Sequence, residues 1–196
     1  MRYGKLLTGG AAATAAFAFA GSAVAQDRPM YELPAIEVSV FQTSLHQQAM
    51  AVYEFPQWWE MAADLHKLAA DNLHRNDAEQ FFGYSRAGLL YFYAGKLADA
   101  RRSMEKAARV AAATGDVLTA AHAFVDAAFI SIAEGYGGKK REFVAEAREL
   151  AGFDLLTPAQ RAEILTRIDG APAGPASARA AMASRFGEPL QLALAH

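Results

Sequence analysis

The chain has 196 residues, of which 53% are hydrophobic, 20% charged and 11% aromatic, with 19 Lys+Arg against 21 Asp+Glu and no cysteine. This content suits one globular domain with enough bulk for a core, and excludes a disordered chain, a polytopic membrane protein and a fibre. The missing cysteines exclude disulfide scaffolds, thiolate zinc sites and a Cys nucleophile, and a formal charge of −2 removes the basic excess a nucleic-acid binder needs.

Residues 1–25 read as an address. Arg2 and Lys5 form a short positive start, Ala11 to Ala20 is an uncharged run, and Ala23-Val24-Ala25 has the small-x-small pattern of a signal-peptidase site. Cleavage is expected after Ala25, leaving Gln26 first. The alternative is a retained anchor, but alanine contributes little transfer free energy to a span. Loss of Arg2 and Lys5 makes the formal charge more negative, and the expected location is periplasmic or secreted, with no membrane attachment after cleavage.

Residues 26–43, with Pro29, Pro34 and alternating Ile36, Val38 and Val40, read as a linker or one short extended segment. From 44 to 168 long apolar-periodic stretches predict helices near 44–54, 57–74, 77–94, 97–114, 117–134, 139–151 and 158–168. Ser44 with Gln47, Asn76 with Glu79, and Thr157 with Gln160 have capping-box spacing, and Pro158 sits at a first helical position. Gly95, Gly115 and Gly152 fall where a left-handed residue closes a helix. Residues 169–196, rich in Ala, Pro and Gly, are expected to be a disordered tail.

Helix character orders these elements in space. Ala87–Ala94 carries no charge and Val117–Ala133 only Asp126 as an acid, so both helices must be covered on several sides. Residues 97–112 instead show Leu97, Ala100, Met104, Ala107, Ala108 and Ala111 on one stripe, opposite Arg101, Arg102, Glu105, Lys106 and Arg109. An inner row of apolar helices and an outer row of amphipathic ones is a helix-hairpin solenoid.

Tyr84, Gly88, Tyr91, Gly95, Leu97, Ala100, Met104 and Ala107 hold the spacing aromatic, small, aromatic, turn Gly, apolar, Ala, large apolar, Ala. This resembles the tetratricopeptide repeat. A shift of 38 upstream places Met50, Tyr53, Trp59, Ala62, His66 and Ala69 in the equivalent slots, and a shift of 40 downstream places Phe124, Ala128, Gly135, Val144 and Ala147. The resemblance covers about 44–152 as roughly three irregular units, with 158–168 as a cap. It implies an all-α antiparallel hairpin solenoid with a groove along its inner helices. Carried onto the best-matching unit, the groove residues are Phe82, Ser85, Leu89, Phe92 and Tyr93; the other units add Gln47, Glu54, His122 and Phe129. Such a groove implies a non-enzymatic scaffold or adaptor holding a protein or peptide of the cell envelope, with self-association as a further possibility.

No HExxH, Walker loop, GxSxG or GxGxxG occurs, so no catalytic residue, metal ligand set or cofactor site is expected. None of the histidines His46, His66, His74, His122 and His196 forms an i,i+4 zinc pair. His122 and Asp126 do share a helix face, which leaves open a small-ligand site or enzyme built on that polar cluster. The repeat register offers a competitor: Arg86 and Asp126 occupy one slot in adjacent units, 40 residues apart, and are expected to form a structural ion pair. Of Trp58 and Trp59, one indole is expected in the core and its neighbour more exposed.

Overall fold

The computed structural model describes residues 40–73 and 78–187, with side chains from 45 onward. The described residues form eight α-helices: α1 (Val40–Met50), α2 (Trp59–Asp71), α3 (Ala78–Tyr93), α4 (Leu97–Ala113), α5 (Val117–Glu134), α6 (Gly137–Ala151), α7 (Pro158–Asp169) and α8 (Pro175–Phe186). A 3₁₀ turn at Pro56–Trp58 leads into α2, and no strand occurs among the described residues. Each helix from α1 to α6 packs on the next in the chain, the serial arrangement of a helical solenoid.

The joints explain the regularity. Gly95, Gly115 and Gly135 have φ of +77°, +80° and +81°, and stand at 20-residue intervals. In each joint the residue after the glycine donates its N–H back across the helix end: Lys96 to Tyr91, Asp116 to Ala111 and Tyr136 to Ser131, at 2.8–3.0 Å. These are Schellman closures, which satisfy carbonyls the helix leaves orphaned and let the next helix start two residues after the glycine. Gly152 differs from expectation: its φ is −78°, so α6 ends without a left-handed residue.

Burial follows helix character. Most of α3 and nearly all of α5 are buried, around Leu90, Phe124, Val125 and Ile130. α5 is long and apolar enough to cross a membrane, and most of it is buried inside the protein. α4 buries Ala100, Met104, Ala107, Ala108 and Ala111 and exposes Arg102, Lys106 and Arg109. Arg101 was expected on that outer face and is instead buried, its Nε 2.7 Å from Glu134 Oε2 and its guanidinium over the Tyr136 ring. It ties α4 to the end of α5.

Two glycines permit close helix contact. A Cβ on Gly83 would lie 2.7 Å from Ala70 Cβ and 2.8 Å from the His66 carbonyl oxygen, neither of which can swing aside. One on Gly88 would lie 3.2 Å from the Ala100 carbonyl oxygen and the Met104 nitrogen. Gly83→Ala is therefore expected to force α2 and α3 apart and to cost about 2–3 kcal/mol, outweighing the roughly 1 kcal/mol gain in helix propensity. Gly88→Ala should cost less. Urea midpoints of the two variants check the order, and a stabilised Gly83→Ala would contradict the close crossing.

The ends depart from expectation. α1 starts at Val40, inside the stretch read as linker, so Ser44 is an interior helical residue and not a cap. Asn76 lies outside the described residues. Thr157 does form the predicted box: Gln160 N–H donates to Thr157 Oγ1 at 3.3 Å, Thr157 N–H donates to Gln160 Oε1 at 2.9 Å, and Pro158 takes the first helical position. The expected disordered tail from 169 onward contains α8, which buries Ala178, Met182 and Phe186 and packs on α5. Alanine is the best helix former, and these three residues at i, i+4 and i+8 make one apolar face, small but sufficient once α5 lies beneath it.

Candidate functional site

On the inner helices α3 and α5, residues three and four apart share the face turned away from the outer row. That face carries the predicted groove residues, but other parts of the chain cover much of it. Ser85, Leu89, Phe92, His122 and Phe129 are buried, and Phe82 and Tyr93 are half-buried. Gln47 and Glu54 are exposed, on α1 and in the turn after it. The Ser85 hydroxyl donates to the Phe82 carbonyl of its own helix at 3.0 Å and so offers no outward donor. Tyr93 is oriented by edge contacts with Trp59 and Phe92, and its hydroxyl donates to the Gly187 carbonyl at the end of α8. Trp59, expected in the core, is only partly buried, its indole N–H donating to the Tyr53 carbonyl at 2.8 Å, whereas Trp58 is 47% exposed.

Two polar clusters lie along this face. In the first, His46 of α1 and His66 of α2 meet Nδ1 to Nδ1 at 2.6 Å, and Tyr53 hydrogen-bonds His66 Nε2. Phe82 packs edge-on against both imidazoles, with the Arg86 guanidinium 5.5 Å from its ring centre. A contact between two Nδ1 atoms needs one proton between them, so the accepting ring is neutral. Burial holds His46 at about 4 and His66 well below its ordinary value, the latter reinforced by the positive charge of Arg86, and burial pushes Tyr53 up to about 12.

The second cluster surrounds Asp126, which is fully buried on α5. Arg167 of α7 donates Nη2 to Asp126 Oδ1 at 2.5 Å, and Arg185 of α8 brings Nε within 3.2 Å of the same oxygen. The expected Arg86–Asp126 pair gives way to these two arginines: Arg86 turns into the first cluster, and α7 and α8 supply the counter-charge. Arg167 Nη1 also contacts His122 Nδ1 at 2.7 Å. A guanidinium can only donate, so Nδ1 accepts and the imidazole proton sits on Nε2, 3.5 Å from Glu163 Oε1. Burial, then the charges of Arg167 and Arg185, hold His122 at about 4.

This geometry bears on chemistry. A general base needs a lone pair that can reach substrate, and the Nδ1 lone pair of His122 is occupied by Arg167. Asp126 is likewise held by guanidiniums, so His122 and Asp126 act as ties between α5, α7 and α8. Among the described residues no group of three His, Cys, Asp or Glu side chains is placed to hold a metal ion. His74, His196 and Ala23, Ala25 and Gln26 of the expected cleavage site lie outside the described residues.

Sequence reasoning missed Arg167, Arg185 and Glu163 as members of the site. One signal could have found them: an acid on a helix apolar all round demands a cation, and Arg167 and Arg185 each adjoin an apolar residue of an amphipathic stretch. The chain was compared with protein-family models, curated proteins and solved structures, and none of them matches it.

Proposed function

We propose that this chain is an exported, non-enzymatic scaffold of tetratricopeptide-like hairpins, whose inner face holds a helical segment of another cell-envelope protein. The single observation that carries this reading is the seat of α8. A helix lies on α5, and its C-terminal end is pinned to both inner helices, by Arg185 to Asp126 of α5 and by the Gly187 carbonyl to Tyr93 of α3. A face that accepts a helix by apolar contact plus a few polar anchors has the chemistry of helix-in-groove recognition. The pairing of Asp126 with two arginines supports a docking role for the polar cluster in preference to an acid–base role. Export rests on the leader pattern of residues 1–25.

The test places a photo-crosslinking amino acid at Tyr93, with Leu155, which is 75% exposed, as control position. A discrete adduct in envelope preparations from the Tyr93 position and none from Leu155 is expected, and the exported chain should begin at Gln26 by mass. Absence of any Tyr93 adduct, together with thermal stabilisation by a metabolite, would replace the scaffold with a small-ligand binder.

A further inference from the structure

We infer that Arg86 is a carboxylate-binding site on the inner face, its guanidinium taking the two oxygens of one carboxylate that the fold itself does not supply. The inference goes beyond the scaffold reading and does not rest on it, since the carboxylate can be carried by a docked segment or by a free small acid.

Among the described residues two arginines are buried, Arg101 at 8% exposure and Arg86 at 9%. Arg101 is answered by Glu134 at 2.7 Å, and the buried carboxylate of Asp126 is answered by Arg167 and Arg185. Arg86 has no such answer: among the described residues it makes no ion pair and no hydrogen bond. What it has is the Phe82 ring, whose centre lies 5.5 Å from the guanidinium carbon and which packs edge-on against His46 and His66. A ring face attracts a cation without neutralising it. A guanidinium withdrawn from water with no anion is costly, and an anion from outside removes that cost.

Charge and shape select the anion. Burial keeps His46 and His66 neutral and the Tyr53 phenol protonated near pH 7, so these groups together with Arg86 carry a single positive charge. One monoanion balances it, whereas a phosphate dianion would leave a buried excess of negative charge. The planar fork of a guanidinium matches a carboxylate through two parallel N–H···O bonds. Place fits as well. Phe82, Arg86, Leu89 and Tyr93 recur at i, i+4, i+7 and i+11 of α3, so the cation stands on the stripe predicted to line the groove. None of its nitrogens is among the polar atoms sealed from water without a partner, so the remaining exposure of Arg86 reaches its charged end.

Two measurements on the full chain test this. In chloride, Arg86→Met should have a higher urea midpoint than the parent, because it removes a buried charge that nothing balances. Acetate at about 100 mM, against chloride at the same ionic strength, should then raise the midpoint of the parent and leave that of Arg86→Met unchanged. The source of the carboxylate is read with two alanine-rich helical peptides that differ by one central Glu or Gln. Binding of the Glu peptide to the parent at least about tenfold more tightly than the Gln peptide, with the difference lost in Arg86→Met, assigns the site to a docked segment. An acetate response with no such preference assigns it to a free acid. An unchanged or lower midpoint in Arg86→Met would overturn the inference, since the guanidinium would then be satisfied within the fold. So would an acetate response shared by Arg86→Met, or a larger response of the parent to phosphate than to acetate. The scaffold reading stands or falls separately on the Tyr93 adduct, which requires no carboxylate.

Discussion

Asp126→Ala is expected to destabilise the fold by about 3–5 kcal/mol, the largest effect of any single substitution on the inner face. The carboxylate is fully buried, and the side chains of Arg167 and Arg185 are only 15% and 14% exposed. Deleting the anion leaves the guanidiniums of Arg167 and Arg185 in a poorly hydrated site without the carboxylate they share. Arg167 is held on α7 against His122 and over the Phe129 ring. The cost therefore falls mainly on the α5–α7 contact. Arg185→Met should cost much less, because Arg167 still neutralises Asp126. Replacing all three, with Asp126→Leu, Arg167→Met and Arg185→Met, should recover most of the loss, since apolar packing replaces a buried ion cluster at little net cost. Urea unfolding of the three proteins at neutral pH measures this. Loss of less than about 1 kcal/mol in Asp126→Ala would show that water already reaches the cluster.

Acid is expected to weaken the protein well above the range in which carboxylates titrate. His46 and His122 are held at about 4 and His66 well below its ordinary value, against 6.5 for an exposed imidazole. The native protein keeps all three neutral, while the unfolded chain protonates them as pH falls through 6.5. Below that point the unfolded state binds more protons, so stability drops with decreasing pH by up to about 1.4 kcal/mol per pH unit for each histidine, until the folded value is reached. Protonation of the first cluster would also set His46, His66 and Arg86 against one another. Asp71, which burial raises but the hydrogen bonds of Lys106, Tyr84 and Lys67 together hold at about 2, loses its contribution only at lower pH and does not blur the window. Denaturant midpoints at pH 7.5, 6 and 5 should fall steadily. His122→Asn should remove part of the slope, and a midpoint independent of pH over this range would refute the buried neutral histidines.

The middle of the fold was legible because two signals agree there. From α3 to α6 the 3.6-residue apolar pattern and the glycines at 95, 115 and 135 mark the same boundaries, and apolarity all round separates α3 and α5 from the one-sided α4. The ends were less legible because each fragment there reads correctly only against its neighbour. The breakers at Gly170, Pro172, Gly174 and Gly187 hid the short apolar face of Ala178, Met182 and Phe186. The pairing of Arg86 with Asp126 followed from slot equivalence, which assumes that inner helices answer one another's charges. The structure instead answers each charge with whatever closes that end of the stack. The His46–His66 contact needed the register of α1, and reading its start at 44 instead of 40 conceals which α1 residues meet α2.

The three identical glycine joints have a consequence for how such a chain could change length. Because the joints at 95, 115 and 135 close in the same way and launch the following helix at the same offset, excision or duplication of the 40 residues between the outer two would restore an unaltered splice. The phase of every helix downstream would be preserved. A change of array length by that unit would thus leave the form of these joints unaltered.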